Sequence, residues 1–244
     1  MRSDRLTGAI AAVALLIAAD PTAAQEPVVG LATGEGGDGG YIRLLLLFAS
    51  VSLAPAILAV ITSFARIIVV LLFLRAGIGA QEIPPTYVLI GLAILITIVA
   101  MLPTLQPLWD EAAGPLMAGE IDLPTAAERA EEPMRASLAG QVRPEDLALM
   151  VELSETDAPD AAFDAPLSVL AAAFAISELR AAFLIGFVIY LPFVIIDLVV
   201  GATLASVGMV SLPAPLLSLP FKILLFVMVD GWALLTEALM ATIR

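Results

Sequence analysis

The chain has 244 residues, 61% of them hydrophobic and only 14% charged, where a soluble domain carries about 25% charged residues. It contains neither Cys nor His, which excludes disulfides, thiolate nucleophiles, imidazole bases and the usual zinc or haem ligands. The net charge of −13 argues against nucleic acid as a partner, and −11 of it falls within residues 110–164, which hold fourteen acids and three arginines.

Arg2 and Arg5 precede an uncharged apolar stretch from Leu6 to Ala19, followed by Thr22-Ala23-Ala24. This is the order of a secretory signal peptide, residues 1–24, with cleavage expected after Ala24. The apolar core is shorter than the 20 or so residues of a spanning helix. Residues 25–43 are Gly-rich and polar in their first part and read as a flexible lead.

Leu44–Ala65 carries no charge, and after Arg66 eight apolar residues continue to Leu74. Ile83–Trp109 is uncharged throughout. Both runs are long enough to span a bilayer. Gly77, Gly79 and Pro84-Pro85 mark a turn between them, so residues 44–105 form a first helical hairpin. Residues 106–170 are an acidic insert. Within it, Pro124-Thr125 and Pro144 each open a short helical pattern with acids in the first turns, read as two solvated helices. Residues 171–244 form a second hairpin. Its turn lies at Gly208–Pro215, with Gly208, Pro213 and Pro215. The expected fold is an all-α integral membrane protein of two helical hairpins separated by an acidic, partly helical extracytoplasmic insert. Arg66 and Arg75 flank the first turn, and long acidic loops cross regardless of charge. The N-terminus, insert and C-terminus are therefore expected outside the cytoplasm.

Arg66, Asp197, Lys222 and Asp230 fall within or at the margins of the apolar runs. Each costs about 2.5–3.5 kcal/mol at a helix centre unless it snorkels or is buried against protein. For Arg66 both readings stand; for Asp197, far from other charges along the chain, burial against a partner is expected. Asp197 and Lys222 lie about 12–13 positions either side of the second turn, or roughly 19 Å along each arm. They share a depth and form the favoured pair, within one hairpin or between neighbouring subunits. Asp197 and Asp230 lack a Gly-x-Gly-Asp context, and no Gly-x-Ser-x-Gly is present. No enzyme chemistry and no cofactor or metal are expected.

Three stretches carry a family resemblance. The first runs from Thr62 through Arg66 to Leu71, with Leu74-Arg75, Gly79, Pro84-Pro85 and Val88–Leu92. The second runs from Ala173 through Ser177-Glu178-Leu179-Arg180 to Asp197. The third is Leu219-Pro220-Phe221-Lys222 followed by Leu225 through Asp230-Gly231-Trp232. In these blocks the chain resembles the FliP family of flagellar type III export-gate subunits and their virulence counterparts. The resemblance implies a location in the bacterial inner membrane at the flagellar basal body. It implies a pentamer of like copies, completed by FliQ and FliR and contacted by FlhB, which forms the entrance for unfolded flagellar proteins. It also implies that Gly208 and Met209 belong to a channel constriction. The family carries several consecutive Met there; this chain has Met209 followed by Val210 and Ser211. Arg66, Glu178, Arg180, Asp197, Lys222 and Asp230 are then expected as buried charges that fix assembly. A virulence-system subunit is the alternative within the family, disfavoured by the signal-like first 24 residues. A solute channel or transporter is the alternative outside it, disfavoured by the three blocks.

Overall fold

A computed structural model describes residues 59–80, 83–156, 159–209 and 211–243, together with Leu45, Phe48 and Ser52. The expected signal peptide and lead, and most of residues 44–58, lie outside the described residues. Seven principal helices follow in order: α1 (Phe64–Ile78), α2 (Thr86–Leu108), α3 (Leu123–Gln141), α4 (Pro144–Leu153), α5 (Leu167–Ser206), α6 (Ala214–Met228) and α7 (Gly231–Ile243). No strand occurs among the described residues.

The apolar run across Arg66 is not one continuous helix. The backbone breaks at Thr62-Ser63, and α1 starts only at Phe64. At 15 residues α1 is about 22 Å long, short of the roughly 30 Å hydrocarbon core. It ends where Gly79 adopts φ 74° and its N–H returns to the Arg75 carbonyl at 3.1 Å. A side chain there would meet the left-handed penalty that glycine escapes. Pro85 then caps α2 in an extended conformation. The expected hairpin boundary at residue 105 falls inside a helix: α2 continues through a π turn (Trp109–Ala113) to Met117, a rod of 32 residues. Pro103 and Pro107 lie inside α2; each removes a ladder donor shortly before the π turn.

The two insert helices start at the expected prolines. Asp122 caps α3 by accepting the Thr125 N–H at 3.1 Å. Hydrogen bonds from the Thr125 side chain and backbone hold the Asp122 carboxyl below its ordinary value of 3.8. Neither helix is simply solvated, however. α3 has 19 residues, and one face of α3 and of α4 is buried. Leu138, Leu147 and Val151 pack with Ala165 and with Val169, Leu170, Ala173 and Phe174 of α5. Outside a bilayer this cluster is held by the hydrophobic effect, at about 1.5–3 kcal/mol for each large side chain.

A second cluster holds α1, α2, α5 and α7 together: Ile67, Val70, Leu71, Leu74, Leu89, Ala93, Ala182, Phe193, Leu235 and Leu239 among others. Lipid is as apolar as these side chains, so close packing takes over from the hydrophobic effect. Small residues provide it. A Cβ on Gly186 of α5 would stand 2.5 Å from the Phe73 ring, and one on Gly77 of α1 would stand 2.6 Å from the Phe193 ring. The α1–α5 contact is as tight as it is because both positions lack a side chain.

α5 is 40 residues long and, apart from Glu178, Arg180 and Asp197, predominantly apolar with no single apolar face. The described residues contain two helices long and apolar enough to cross a membrane, Thr86–Met117 and Leu167–Ser206, or three if the bent pair α6–α7 counts as one. That pair breaks by 63° at Val229-Asp230, where Asp230 has φ 49°. The four apolar runs of the sequence thus yield fewer intact spans among the described residues.

Candidate functional site

α5 carries two carboxylates, Glu178 and Asp197, and each organises a cluster of charges. They are 19 residues apart, about 28 Å along the helix axis.

Arg66 lies in the first turn of α1 just after the Ser63 break and is buried, so it does not snorkel. Its Nη2 donates to Glu178 Oε1, and its Nη1 donates to the Thr242 carbonyl at 2.6 Å. Thr242 lies in the last turn of α7, where carbonyls lack intrahelical partners and a cation is favoured. One guanidinium therefore joins α1, α5 and the end of α7. Arg66 Nε and Glu178 Oε2 are buried without a hydrogen-bond partner.

Next to Glu178, Ser177 ties the insert to α5. Its Oγ donates to Asp146 Oδ2 at 2.8 Å and accepts the Arg143 N–H at 3.1 Å. Arg180 Nη2 lies 2.8 Å from Asp146 Oδ1. Within the single chain Arg180 is half-exposed, and it holds the buried Asp146. Nearby, Ser63 is fully buried and reaches both Met101 Sδ (3.6 Å) and Gln141 Oε1 (3.4 Å). This connects the α1 break to the end of α3.

Nineteen residues further along α5, Lys222 Nζ donates to Asp197 Oδ2 at 2.6 Å. The two charges equidistant from the second turn meet within a single chain. Ser218 Oγ, one turn before Lys222, donates to Asp197 Oδ1. The environments differ: the Lys222 side chain is 3% exposed and that of Asp197 31%. A Cβ added to Gly79 would lie 3.5 Å from Lys222 Nζ. The ammonium thus sits beside the C-terminal end of α1, where the helix dipole favours it. The two clusters share one design. A carboxylate of α5 holds a cation that also meets the C-terminal end of another helix. From Lys222 to Thr242 is 20 residues, against 19 from Asp197 back to Glu178. The arms stay in step despite the bend at Asp230.

Asp230 is not enclosed by its own chain. It is exposed in the chain, at the bend, and its carboxylate has no partner among the described residues. The Asp-Gly dipeptide it forms with Gly231 is a turn signal, in keeping with the bend there.

The second turn holds Gly208 at φ 82°, with its N–H on the Ala205 carbonyl at 3.1 Å and the Met209 N–H on the Leu204 carbonyl at 2.9 Å. Val207, Met209 and Leu212 are exposed there, at 68%, 46% and 42%. Apolar side chains at the tip of a hairpin are available to a partner, and Met209 is the most adaptable of them. Sequence reading did not find the Arg66–Glu178 contact, the Ser177–Asp146–Arg180 group, or the parts played by Ser218 and Thr242. Only the adjacency of Ser177, Glu178 and Arg180 on one segment hinted at them.

Chemically these groups hold helices in place; the charged side chains engage one another and helix ends. The FliP family profile matches residues 47–239. The flagellar biosynthetic protein FliP of Bacillus subtilis is 47% identical over 82% of this chain and 90% of its own. That of Caulobacter vibrioides is 42% identical over the whole of this chain and 92% of its own. That of Pectobacterium carotovorum is 42% identical over 93% and 90%. With the long apolar helices, the paired charges between them and these matches together, the chain belongs to the FliP family.

Proposed function

We propose that the chain is a non-catalytic subunit of the flagellar type III export gate in the bacterial inner membrane. There it forms, with further copies of itself, the entrance through which unfolded flagellar proteins leave the cytoplasm. The observation that carries this reading is the match over nearly the whole chain to proteins named for flagellar biosynthesis. FliQ, FliR and FlhB are the proposed partners, and a pentamer the proposed arrangement. The hairpin tip at Gly208 and Met209 supplies an exposed apolar surface suited to closing a channel around varied cargo. α5 is about 60 Å long against a hydrocarbon core of about 30 Å. That length supports an insert and a second turn on opposite sides of the membrane, the insert being periplasmic. The termini are proposed to be periplasmic as well, with the mature chain starting at Gln25.

Deletion of the gene tests the proposal. Motility and export of flagellar proteins should be lost and restored by the intact gene, with partners recovered from mild detergent by mass spectrometry. A motile, exporting deletion strain would reject it. A phosphatase reporter near Gly140 should be active in the periplasm; activity only from a cytoplasmic reporter would reverse the topology.

A further inference from the structure

α7 is attached to its own chain along one stripe, Gly231, Leu235, Leu239 and Ile243, at four-residue spacing. Ala233, Glu237 and Ala241 each fall two residues after a member of that stripe, about 200° around the helix, and all three are exposed. Asp230 is exposed at the start of the same helix. Among the described residues neither Asp230 nor Glu237 has a carboxylate partner of opposite charge. This outward face is ill suited to lipid. Asp and Glu lack the long stems on which Lys and Arg snorkel, and unpaired acids on an apolar helix belong against protein or water. Ala233 and Ala241, one turn either side of Glu237, let another helix come close. What the face lacks is a cation.

The chain itself has one to offer. Of the seven Lys and Arg among the described residues, five hold a carboxylate: Arg66, Arg135, Arg143, Arg180 and Lys222. Arg129 lies on α3, in the insert. Arg75 is left, half-buried near the end of α1 and donating to Thr86 Oγ1 at 2.8 Å. Its depth fits as well. Arg66 meets Thr242 at one end of the bundle, and Gly79 lies beside Lys222 at the other, so α1 and α7 lead away from the Arg66–Thr242 contact in the same direction. From that contact Arg75 is nine residues along α1, about 14 Å. Glu237 and Asp230 are five and twelve residues back along α7, about 8 and 18 Å. In a neighbouring copy at the same depth, Arg75 stands level with the gap between the two acids.

We propose that the outward face of α7 docks a second copy of this chain, whose Arg75 enters between Asp230 and Glu237. The contact is head-to-tail: each copy offers its acidic face to one neighbour and its Arg75 to the other. It rests on the self-assembly proposed above and adds which faces meet.

The chain has no native Cys, so cross-links report the chosen positions alone. Ala76→Cys, exposed beside Arg75, is placed in one tagged copy and Ala233→Cys in a differently tagged one, both full-length and made in the same cell. A short bis-maleimide added to the membranes should yield a dimer carrying both tags. One chain with both cysteines should give a ladder instead. Glu237→Arg should cut the mixed dimer on the order of tenfold, Arg75→Glu likewise, and the two together in every copy should restore most of it. Glu237→Gln, nearly isosteric, should cut it about threefold, so the outcome does not hang on a charge reversal that fails to fold. Asp230 is left in place because its backbone makes the bend. Co-purification of the two tags without the mixed cross-link would overturn the contact and leave self-assembly standing. Failure of the tags to co-purify would overturn self-assembly and the contact with it. A cross-link unmoved by both Glu237 variants would overturn the charge pairing. Ready reaction of Glu237→Cys with a membrane-impermeant maleimide in the assembled protein would show that the face looks into water, and would overturn the docking too.

Discussion

Asp197→Ala and Lys222→Ala delete opposite halves of one ion pair, yet the structure makes them unequal. Removing Asp197 leaves the Lys222 ammonium at 3% exposure with no carboxylate, while Ser218 falls back on the Pro215 carbonyl at 3.1 Å. Stranding a buried charge costs about 3–5 kcal/mol. Removing Lys222 leaves Asp197 at 31% exposure, open to water and still bonded to Ser218, a loss of about 1–2 kcal/mol. For a chain of this length 1 kcal/mol moves the melting temperature by about 2–4 °C. Asp197→Ala should therefore melt about 4–8 °C below Lys222→Ala for a 2 kcal/mol difference. The assay is thermal loss of the monodisperse peak of purified protein in one detergent. Replacing the pair by Asp197→Leu with Lys222→Met should recover most of the loss, because apolar groups of similar volume need no partner. The charge-swapped double, Asp197→Lys with Lys222→Asp, should recover less, since the shorter acid then occupies the buried site. Lys222→Ala melting at or below Asp197→Ala would refute the reasoning from exposure.

Gly186→Ala should cost about 1–3 kcal/mol by driving α5 away from the Phe73 ring, and Phe73→Leu in the same chain should restore part of the melting temperature. Ser177→Ala should loosen the insert by about 1–3 kcal/mol, because Asp146 Oδ2 and the Arg143 N–H both lose their partner while Arg180 stays on Oδ1; limited proteolysis between residues 142 and 166 should quicken. The Asp122 carboxyl has a folded value below the ordinary 3.8, so its cap supports α3 fully above that value and is lost as pH falls through the lowered one. Protection of the Thr125 amide, its exchange rate relative to that of an unstructured amide at the same pH, should follow that loss in the native chain, be independent of pH in Asp122→Asn, and be low at every pH in Asp122→Ala.

What the sequence shows well is local. Gly208, Pro213 and Pro215 punctuate an apolar run, and a turn there sets Asp197 and Lys222 at one depth by counting alone. Pro124 and Pro144 mark helix starts because proline fits the first turn and little else in a helix. Contacts across the chain are another matter. Arg66 and Glu178 are 112 residues apart, and which face of α1 meets α5 is decided by Gly77 and Gly186 accepting Phe193 and Phe73. Uniformly apolar helices give no stripe from which to read that face. The buried side of the insert was hidden for a related reason: its acids dominate the composition, while Leu138, Leu147 and Val151 pair with α5 residues far along the chain. Asp230-Gly231 is a signal that was present and under-weighted. A charge in an apolar run draws attention as a charge, and here its backbone is what bends the chain.

α5 enters both packed clusters, with Val169 to Phe174 in the insert and Ala182 to Phe193 among the apolar helices. Under the proposed topology those two environments answer to different solvents, water for the one and lipid for the other. A rigid rod shared between them makes their positions interdependent. Tilting about 60 Å of helix by about 5° around its midpoint displaces each end by about 2.6 Å and Ser177, about 14 Å from the midpoint, by about 1.2 Å, enough to stretch its hydrogen bond to Asp146 and to shift Met209 at the far end. To the extent that α5 moves as a rod across Pro192, a displacement of the insert is carried to the second turn without a change of rotamer in between.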